Sequence, residues 1–315
     1  MKKSKKQKIL ITGGSGFIGS AITKYLVNNG HKVTVYDNNS RGKMRRLSEV
    51  ITKINFKKGD IRDYKKLKSI SGNFDTVIHL AYVNGTKFFY KKPFEILDIA
   101  VNGFLNILKF SKERKIKNFY LASSSEVYQN PIKYPTDEKE MLKIPDIHNA
   151  RYSYGGGKIF SELYGIHFAR KYFQKFIIFR PHNVYGRDMG NEHVIPEFVN
   201  RFKSIGNNKK FLIYGTGNEV RSFIHIEDFI NGFDKIFKKG KNLEIYNIGT
   251  SEKIKISYLA QAIGKIFQKK IRLSKTKLFK GSPSKRCPNI DKIKKLGFKQ
   301  KISLREGLKK IILND

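Results

Sequence analysis

The sequence predicts an α/β fold in which a doubly wound parallel sheet is followed by a smaller C-terminal domain. Short apolar runs, typical of buried strands, alternate with segments whose apolar residues recur at helical spacing as far as residue 179. A glycine-rich turn joins the first strand to the first helix. After residue 180 the pattern changes, because Gly, Asn and Pro interrupt shorter segments. These observations indicate a sheet domain and a separate cap.

The elements of the sheet domain follow one another as right-handed crossovers between parallel strands require. The predicted strands are residues 8–12, 31–36, 54–58, 74–81, 118–122 and 176–179, and the predicted helices include residues 20–29, 94–114 and 159–172. A strand-like run near residues 243–248 is expected to rejoin the sheet, and a shorter helix is predicted over 195–203. We therefore assign residues 1–179 to the sheet domain and residues 180–315 mainly to the cap.

The composition indicates a globular chain, since 315 residues with 39% hydrophobic content can bury a sizeable core. The longest apolar runs fall far short of the roughly 20 residues of a membrane span, and the basic residues 1–6 lack the apolar stretch of a secretory signal. The lone Cys287 excludes an internal disulfide framework and a cysteine-built zinc site. We expect a cytoplasmic protein with no membrane span and no metal site.

The formal charge of +38, from 64 basic and 26 acidic residues, is typical of proteins that bind nucleic acid or anionic membranes. The lysines are spread along nearly every segment, however, and do not form one basic tract. Compositional drift of the whole genome is our preferred interpretation. A positive field would also attract a polyanionic small substrate. We therefore expect no specific nucleic-acid partner.

The glycine-rich turn at residues 13–19, GGSGFIG, lies between a predicted strand and a predicted helix. Glycines there allow a tight turn, let backbone N–H groups approach a pyrophosphate and place that anion at a helix N-terminus. Asp37 ends the second strand at the distance from the turn where an acid binds the adenosine ribose. An acid favours NAD over NADP, while the nearby Arg41 leaves NADP open. The pattern predicts a Rossmann-type NAD-binding domain.

Polar side chains follow several strands of the predicted sheet, where ligands of such sheets bind. The cofactor-side candidates are Asp60, Ile61, Ala81 and Tyr82. We interpret His79, in the last turn of a buried strand, as structural. The serine run 123–125 and Glu126 reach the same edge, either as turn formers or as part of a site.

Tyr154 and Lys158 lie four residues apart at the start of a predicted helix, so their side chains share one face. A cation beside a phenol lowers its pKa towards the range of a general base. The spacing alone is weak evidence, because Tyr64 and Lys68 repeat it. The glycines at 155–157 indicate either that a neighbour presses against this backbone or that the helix begins there.

Taken together, these motifs resemble the extended short-chain dehydrogenase/reductase family, in its nucleotide-sugar epimerase, dehydratase and decarboxylase branch. The resemblance covers nearly the whole chain and is carried by residues 12–19, 37–40, 59–63, 79–81, 123–128, 154–158, 180–186, 221–228 and 295–298. It implies a Rossmann fold with a substrate-binding C-terminal domain, an NAD cofactor and a nucleotide-sugar substrate. It also implies a homodimer paired through the helices at 94–114 and 154–172.

Carried over by position, Tyr154 resembles the family's base, Lys158 its partner on the nicotinamide ribose, and Ser124 the hydroxyl that binds the reacting group. Tyr154 would take the proton of the sugar 4-hydroxyl as hydride leaves carbon 4 for NAD. The resemblance places the cofactor against Gly13, Gly16, Phe17, Ile18, Gly19, Asp37, Asn38, Asp60, Ile61, Leu80, Ala81, Tyr82, Asn102, Tyr154 and Lys158. It places the substrate against Asn183, Val194, Arg221 and Arg286.

The fate of the 4-keto sugar depends on the catalytic candidates Ser125 and Glu126. The family's 4,6-dehydratases carry an Asp-Glu pair there, and a serine is a far weaker proton donor than the aspartic acid. The Ser-Ser-Glu order is similar to the Thr-Ser-Glu of UDP-glucuronate decarboxylases. The leading interpretation is a nucleotide-sugar 4-epimerase, with decarboxylase, 4,6-dehydratase and 4-dehydrogenase as alternatives.

Three residues around the predicted substrate site depart from the family pattern. Gln129 replaces a usual glycine, Gly157 a frequent serine, and Tyr82 a common second alanine. A non-catalytic nucleic-acid or regulatory protein on the same fold is the alternative from another class. It is disfavoured because such a protein has no need of the catalytic residues.

Overall fold

A computed structural model describes residues 6–278 and 280–313 of the chain. Its strands are β1 Lys8–Thr12, β2 Lys32–Asp37, β3 Ile54–Lys58, β4 Thr76–His79, β5 Asn118–Ala122, β6 Lys175–Pro181, β7 Val184–Tyr185, β8 Lys209–Tyr214, β9 Val220–Arg221, β10 Ile224–His225, β11 Glu244–Ile248, β12 Ile254–Lys255, β13 Ile271–Thr276 and β14 Lys285–Arg286. Its α-helices are α1 Phe17–Asn28, α2 Tyr64–Lys68, α3 Thr86–Lys91, α4 Pro93–Asp98, α5 Phe104–Glu113, α6 Tyr152–Tyr172, α7 Val194–Ser204, α8 Ile226–Lys239, α9 Ile256–Ile266, α10 Asp291–Lys294 and α11 Leu304–Ile312.

Seven strands form one parallel sheet in the order β11-β6-β5-β4-β1-β2-β3. The chain moves outward from β1 through β2 to β3, then crosses back to β4 and continues in the other direction. Between β1 and β4 the order reverses, which opens a crevice at the carboxyl ends of these strands. The predicted doubly wound sheet is confirmed, and the strand expected near 243–248 rejoins it as β11, parallel to β6.

Two hydrophobic cores cover the two faces of this sheet. Ile9 and Ile11 of β1 point into one core with residues of α1 and α8, whereas Leu10 between them points into the other with residues of α5 and α6. This alternation follows from the two-residue period of a strand. Because both faces are buried, the strands read as nearly continuous apolar runs, which is why the sequence located them.

A third core lies in the C-terminal part, where α7, α9 and α11 enclose the two-stranded sheet of β8 and β13. The helix predicted over 195–203 is confirmed as α7, one residue longer at each end. In contrast, α8 and α10 pack on the main sheet, with Phe229, Phe233 and Ile293 in its first core. The chain after residue 180 therefore contributes to both parts.

The long helix expected over 94–114 is divided in three: α4, a π-helical turn at Ile99–Gly103, and α5. Gly103 ends this turn and packs against Ile61. A Cβ added at Gly103 would lie 2.6 Å from Ile61 Cδ1. The strand expected over 74–81 is also shorter, since β4 ends at His79. Among the helices of the described ranges, none combines the length and the apolar composition that crossing a membrane requires.

Candidate active site

The glycine turn lies at the crevice between β1 and β4. Gly13 adopts a φ of +76°, and a Cβ there would lie 2.6 Å from the backbone nitrogen of Ala81. A Cβ on Gly19 would lie 2.0 Å from the Gly13 carbonyl oxygen. Gly16 caps α1, whose first residues are Phe17 and Ile18. Only glycine fits this turn, which presents the α1 N-terminus as a site for a pyrophosphate.

The Asp37 carboxylate is fixed at the end of β2. Its Oδ2 accepts a hydrogen bond from the Ser15 backbone nitrogen at 2.9 Å, and its Oδ1 accepts one from the Asn39 nitrogen at 2.8 Å. The acid is therefore held beside the glycine turn, as a ribose-binding residue requires. Arg41, which left NADP open, donates two bonds of 2.8 Å to Glu192. This pairing neutralises the arginine in the described structure.

A polar network continues from Asp37 along the cofactor side. Asn38 donates to Asp60 at 2.9 Å, and Arg62 donates to Asp60 at 2.8 Å and to Asp98 at 3.1 Å. These hydrogen bonds, above all those from Arg62, hold the pKa of Asp60 at about 2. Asn102 is exposed and contacts this network by donating a 2.6 Å hydrogen bond to Asp98. Ile61 packs beneath this network, with 4% of its surface exposed.

The predicted catalytic residues meet at the ends of β5 and α6. Lys158 is buried, and its Nζ donates a 2.7 Å hydrogen bond to the Ala122 carbonyl at the end of β5. Tyr154, one turn earlier on α6, is 5% exposed and hydrogen-bonds Ser124. Ser124 also caps the 3-10 turn Ser125–Tyr128 by accepting from the Glu126 nitrogen at 3.2 Å. The structure thus brings Ser124, Tyr154 and Lys158 together.

The electrostatics of this group differ from the prediction. Burial raises the pKa of Tyr154, and the hydrogen bond from Ser124 offsets this only partly. Burial also lowers the pKa of Lys158 to about 7, against the opposing effect of Glu162. The Lys158 charge alone therefore does not produce the lowered phenol pKa that the spacing indicated. A general base at Tyr154 requires further positive charge near its hydroxyl.

The glycines at 155–157 lie inside α6, which begins at Tyr152, so the alternative that the helix begins at these glycines is wrong. A Cβ on Gly155 would lie 3.0 Å from the Glu126 carbonyl oxygen, and one on Gly157 would lie 2.1 Å from the Tyr82 hydroxyl. The first explanation applies, because neighbours press against this backbone. The close approach sets Tyr154 directly against the Ser125–Tyr128 turn.

Glu126 faces several arginines on the substrate side. Its carboxylate accepts bonds of 2.6 and 2.9 Å from Arg286, and Arg151 lies 3.8 Å away. Burial alone would raise the pKa of Glu126, but Arg286 and Arg151 outweigh it and hold the pKa at about 2. Ser125 beside it is 3% exposed. Glu126 is therefore a paired carboxylate and not a free base in this arrangement.

The remaining predicted substrate residues surround the same opening. Arg221 is held by backbone carbonyls, donating to Pro283 at 2.8 Å and to Val220 at 2.9 Å. Burial and the repulsion of Arg286 lower the pKa of Arg221 to about 10. Asn183 has a φ of +39° and donates to the Ser222 carbonyl at 2.8 Å. Val194 begins α7 and packs against the third core.

Sequence reasoning missed Arg151, which is 6% exposed and immediately precedes α6. The signal was available, because an arginine three residues before Tyr154 shares its helix face. His79 is buried and shares a 2.7 Å hydrogen bond with Thr12, as its structural interpretation predicted. Within the described residues, groups of His, Cys, Asp and Glu that could hold a metal ion are absent.

The model of the NAD-dependent epimerase/dehydratase family matches residues 9–249, and the chain belongs to this family. It is therefore a member of the nucleotide-sugar branch of the extended short-chain dehydrogenases, and NAD is its cofactor. The glycine turn and the fixed Asp37 carboxylate fit that cofactor.

Individual relatives act on several nucleotide sugars. A dTDP-D-glucose 4,6-dehydratase of Dictyostelium discoideum is 34% identical over 79% of this chain, although the match covers only 59% of that protein. A UDP-N-acetyl-alpha-D-glucosaminuronate decarboxylase of Bacillus cytotoxicus is 29% identical over 98% of this chain and 97% of its own. The structure of a UDP-glucose 4-epimerase from Thermotoga maritima, solved with UDP-glucose, has a TM-score of 0.87 at 29% identity and 97% coverage of both chains. The relatives thus support a nucleotide-sugar substrate and leave the net reaction open.

Proposed function

We propose that this enzyme uses NAD to oxidise carbon 4 of a nucleotide-linked uronic acid transiently. The convergence of Ser124, Tyr154 and Lys158 beside the glycine turn carries the redox half of the proposal. Bound NAD supplies the hydride acceptor and a positively charged nicotinamide ring. That charge would favour the phenolate, which burial otherwise opposes.

In the proposed mechanism each of these residues acts on a named atom. Ser124 donates a hydrogen bond to the sugar 4-hydroxyl, and the Tyr154 oxygen takes the hydroxyl proton. Lys158 would hold the ribose hydroxyls of the cofactor through its ammonium and would stabilise the phenolate at the same time. The proton returns from Tyr154 when carbon 4 is reduced again, so the protein ends each turnover unchanged.

The uronic acid follows from the cations that face Glu126. Arg151, Arg221 and Arg286 all lower the pKa of the Glu126 carboxylate. Arg286 and Arg151 also lower the pKa of Arg221. Because three arginines face one acid, positive charge is in excess. The Nε atoms of Arg151 and Arg286 are buried without a hydrogen-bond partner in the part of the chain that the structure describes. A sugar carboxylate, together with the substrate diphosphate, would satisfy these donors.

Two net reactions remain for such a substrate. Hydride return to the opposite face of carbon 4 gives 4-epimerisation, the leading interpretation of the sequence. Alternatively, the 4-keto group makes the sugar carboxylate a β-keto acid, which loses carbon dioxide; carbon 5 then gains a proton and carbon 4 regains its hydride. The ion pair between Glu126 and Arg286 at 2.6 Å favours this second candidate over 4,6-dehydration, which requires Glu126 as a free base.

The test is a panel of UDP-linked uronic acids and the matching neutral sugars, incubated with purified protein and followed by mass spectrometry. We expect bound NAD, and conversion of a uronic acid at least about tenfold faster than of its neutral counterpart. Release of carbon dioxide identifies the decarboxylase and an unchanged mass the epimerase. Faster conversion of the neutral sugars would overturn the uronic acid, and accumulation of NADH would indicate a dehydrogenase.

Two phenylalanine variants test the base. Tyr154→Phe should lower turnover by about 10² to 10⁴ and leave NAD bound, because it removes only the proton acceptor. Tyr64→Phe is the matched control, since Tyr64 and Lys68 have the same spacing on the unrelated helix α2. Retained turnover in Tyr154→Phe would sink the assignment of the base.

The homodimer implied by the resemblance belongs to the proposal as well. Apolar side chains on α4 and α6 are exposed where this pairing is expected, including Phe94 at 82% and Leu163 at 62%. Phe160, Tyr164 and Phe168 line a groove with Leu163 on the same face of α6. Pairing with the same surface of a second copy would bury these residues.

A further inference from the structure

Two of the departures from the family pattern meet in space. Tyr82 follows β4, and its hydroxyl occupies the place that a side chain at position 157 would take, 2.1 Å from the ideal Cβ. Ala100 lies 2.6 Å from the same point. Tyr82 and Ala100 therefore both exclude a side chain at position 157, and the glycine leaves room for both of them.

The Tyr82 ring lies against the catalytic candidates. The Lys158 Nζ lies 3.9 Å from the Tyr82 ring centroid, compared with 5.9 Å from the Tyr154 centroid. The Tyr82 and Tyr154 rings meet edge to face at 5.1 Å, and Phe89 stacks on the Tyr154 ring at 4.9 Å. The Tyr82 hydroxyl, in contrast, has no hydrogen-bond partner among residues 6–278 and 280–313.

We infer that Tyr82 is a positioning residue for Lys158: its ring face holds the ammonium at the active site, and Gly157 provides the space that the Tyr82 hydroxyl needs. A cation above a desolvated aromatic face is stabilised by the ring quadrupole. Among residues 6–278 and 280–313, the ammonium donates one hydrogen bond, to the Ala122 carbonyl at 2.7 Å, so the ring is its second source of stabilisation. The inference rests on the proposed role of Lys158, and the Tyr82 hydroxyl takes no part in holding the ammonium.

The other titratable groups near Lys158 do not replace the ring. His79 on β4 is buried and burial keeps it neutral, with a pKa of about 3. Tyr154, on the helix of Lys158, is uncharged while its pKa is raised. Glu162, one turn further along α6, favours the ammonium but is bound to Arg180 at 2.8 Å. Loss of the ring should therefore appear directly in the protonation of Lys158.

The experiment measures the Lys158 pKa in the NAD-loaded protein by NMR of ¹³Cε-labelled lysine, with the signal assigned by its absence in Lys158→Met. Tyr82→Phe keeps the ring and should leave the pKa unchanged, whereas Tyr82→Leu should lower it by about one unit. An equal pKa in wild type and Tyr82→Leu would overturn the inference. An equal fall in Tyr82→Phe would also overturn it, because the hydroxyl would then be responsible.

The packing half is tested by unfolding. Gly157→Ser should lower the denaturation midpoint more in the presence of Tyr82 than in Tyr82→Ala, since Tyr82 and the serine compete for one space while the contact with Ala100 remains in both backgrounds. Additive effects of the two substitutions on the denaturation midpoint would contradict this competition. The double variant also lacks the ring, so its Lys158 pKa should fall as in Tyr82→Leu, and it provides the same measurement if Tyr82→Leu fails to fold. Because neither measurement needs a sugar substrate, failure of the proposed function remains distinguishable.

Discussion

At the scale of single residues, the site is shaped by the cost of burying charge. Lys158 is 2% exposed, and Glu162, the acid that acts on its pKa, is already bonded to Arg180. Glu126 shows the opposite case, because Arg286 and Arg151 keep its carboxylate charged in spite of burial. Desolvation therefore disfavours the charged form of Lys158, whereas at Glu126 the arginine partners outweigh the desolvation.

The Lys158 pKa predicts a pH-dependent stability. Burial lowers it from 10.5 to about 7, so below pH 7 folding must bury a charged ammonium. This cost falls as the pH rises towards 10.5, where the unfolded lysine also loses its proton. Lys158→Met should therefore raise the free energy of unfolding by a few kcal/mol near about pH 6 and much less near about pH 10.

Denaturant titrations of wild type and variant at the two pH values measure this difference. Lys68→Met, on the exposed side of α2, is the control and should change stability little at either pH. A gain of the same size at both pH values would show that packing of the methionine, and not the removed charge, is responsible.

At the scale of elements, α6 determines how closely the catalytic residues approach the sheet. Its glycines allow contact on two sides, with Tyr82 and Ala100 near Gly157 and the sheet residue Phe176 near Gly165. A Cβ on Gly165 would lie 2.6 Å from Phe176 Cζ, which belongs to a fully buried ring. The glycines thus lower the intrinsic helix propensity of α6 but allow the helix to pack closely against its neighbours. The division of the chain at residues 179 and 180 into cofactor and substrate domains stays a proposal.

Two alanine variants separate these effects. Gly165→Ala should destabilise the protein by about 1–3 kcal/mol, because overpacking against Phe176 exceeds the gain in helix propensity. Gly156→Ala is the matched control, since its Cβ meets only the half-exposed Ile144 at 3.2 Å and should be neutral or stabilising by up to about 1 kcal/mol. Equal free energies of unfolding for the two variants would contradict close packing at Gly165.

At the scale of the whole molecule, loops of the sheet domain and of the C-terminal part meet above the crevice. Arg41, after β2, pairs with Glu192 before α7, and Arg45 pairs with Asp188. The Arg41 guanidinium also lies 4.4 Å from the ring centroid of Phe88. These contacts join the two parts over the predicted cofactor site. The cytoplasmic location stays a prediction.

The proposed dimer is tested by a charge on its expected surface. Leu163→Glu should convert the protein to a monomer in light scattering coupled to size-exclusion chromatography, because a carboxylate would be buried without a partner. Leu313→Glu, at a residue exposed to 64% on a different element, should leave the assembly unchanged. A monomeric wild type, or a dimer in both variants, would contradict pairing through α6.

Local chemistry explains how much of this could be predicted from the sequence. Buried parallel strands are apolar throughout and a dinucleotide turn needs glycines at fixed spacing, so the sheet, the turn and Asp37 were visible as patterns. The division of the helix at 94–114 was not visible, because the π-turn depends on the contact of Gly103 with Ile61 from a distant segment.

The sequence by itself determined the fold class and predicted the cofactor site and the group of Ser124, Tyr154 and Lys158, since each depends on spacing within one segment or on an ordered set of motifs. The tertiary structure alone decided which charges are paired. The ion pair of Glu126 and Arg286 joins residues 160 positions apart. The contact of Tyr82 with Lys158 and Gly157 joins the segment after β4 to α6 in the same way. Burial and long-range pairing set the pKa values, and neither is encoded in local sequence.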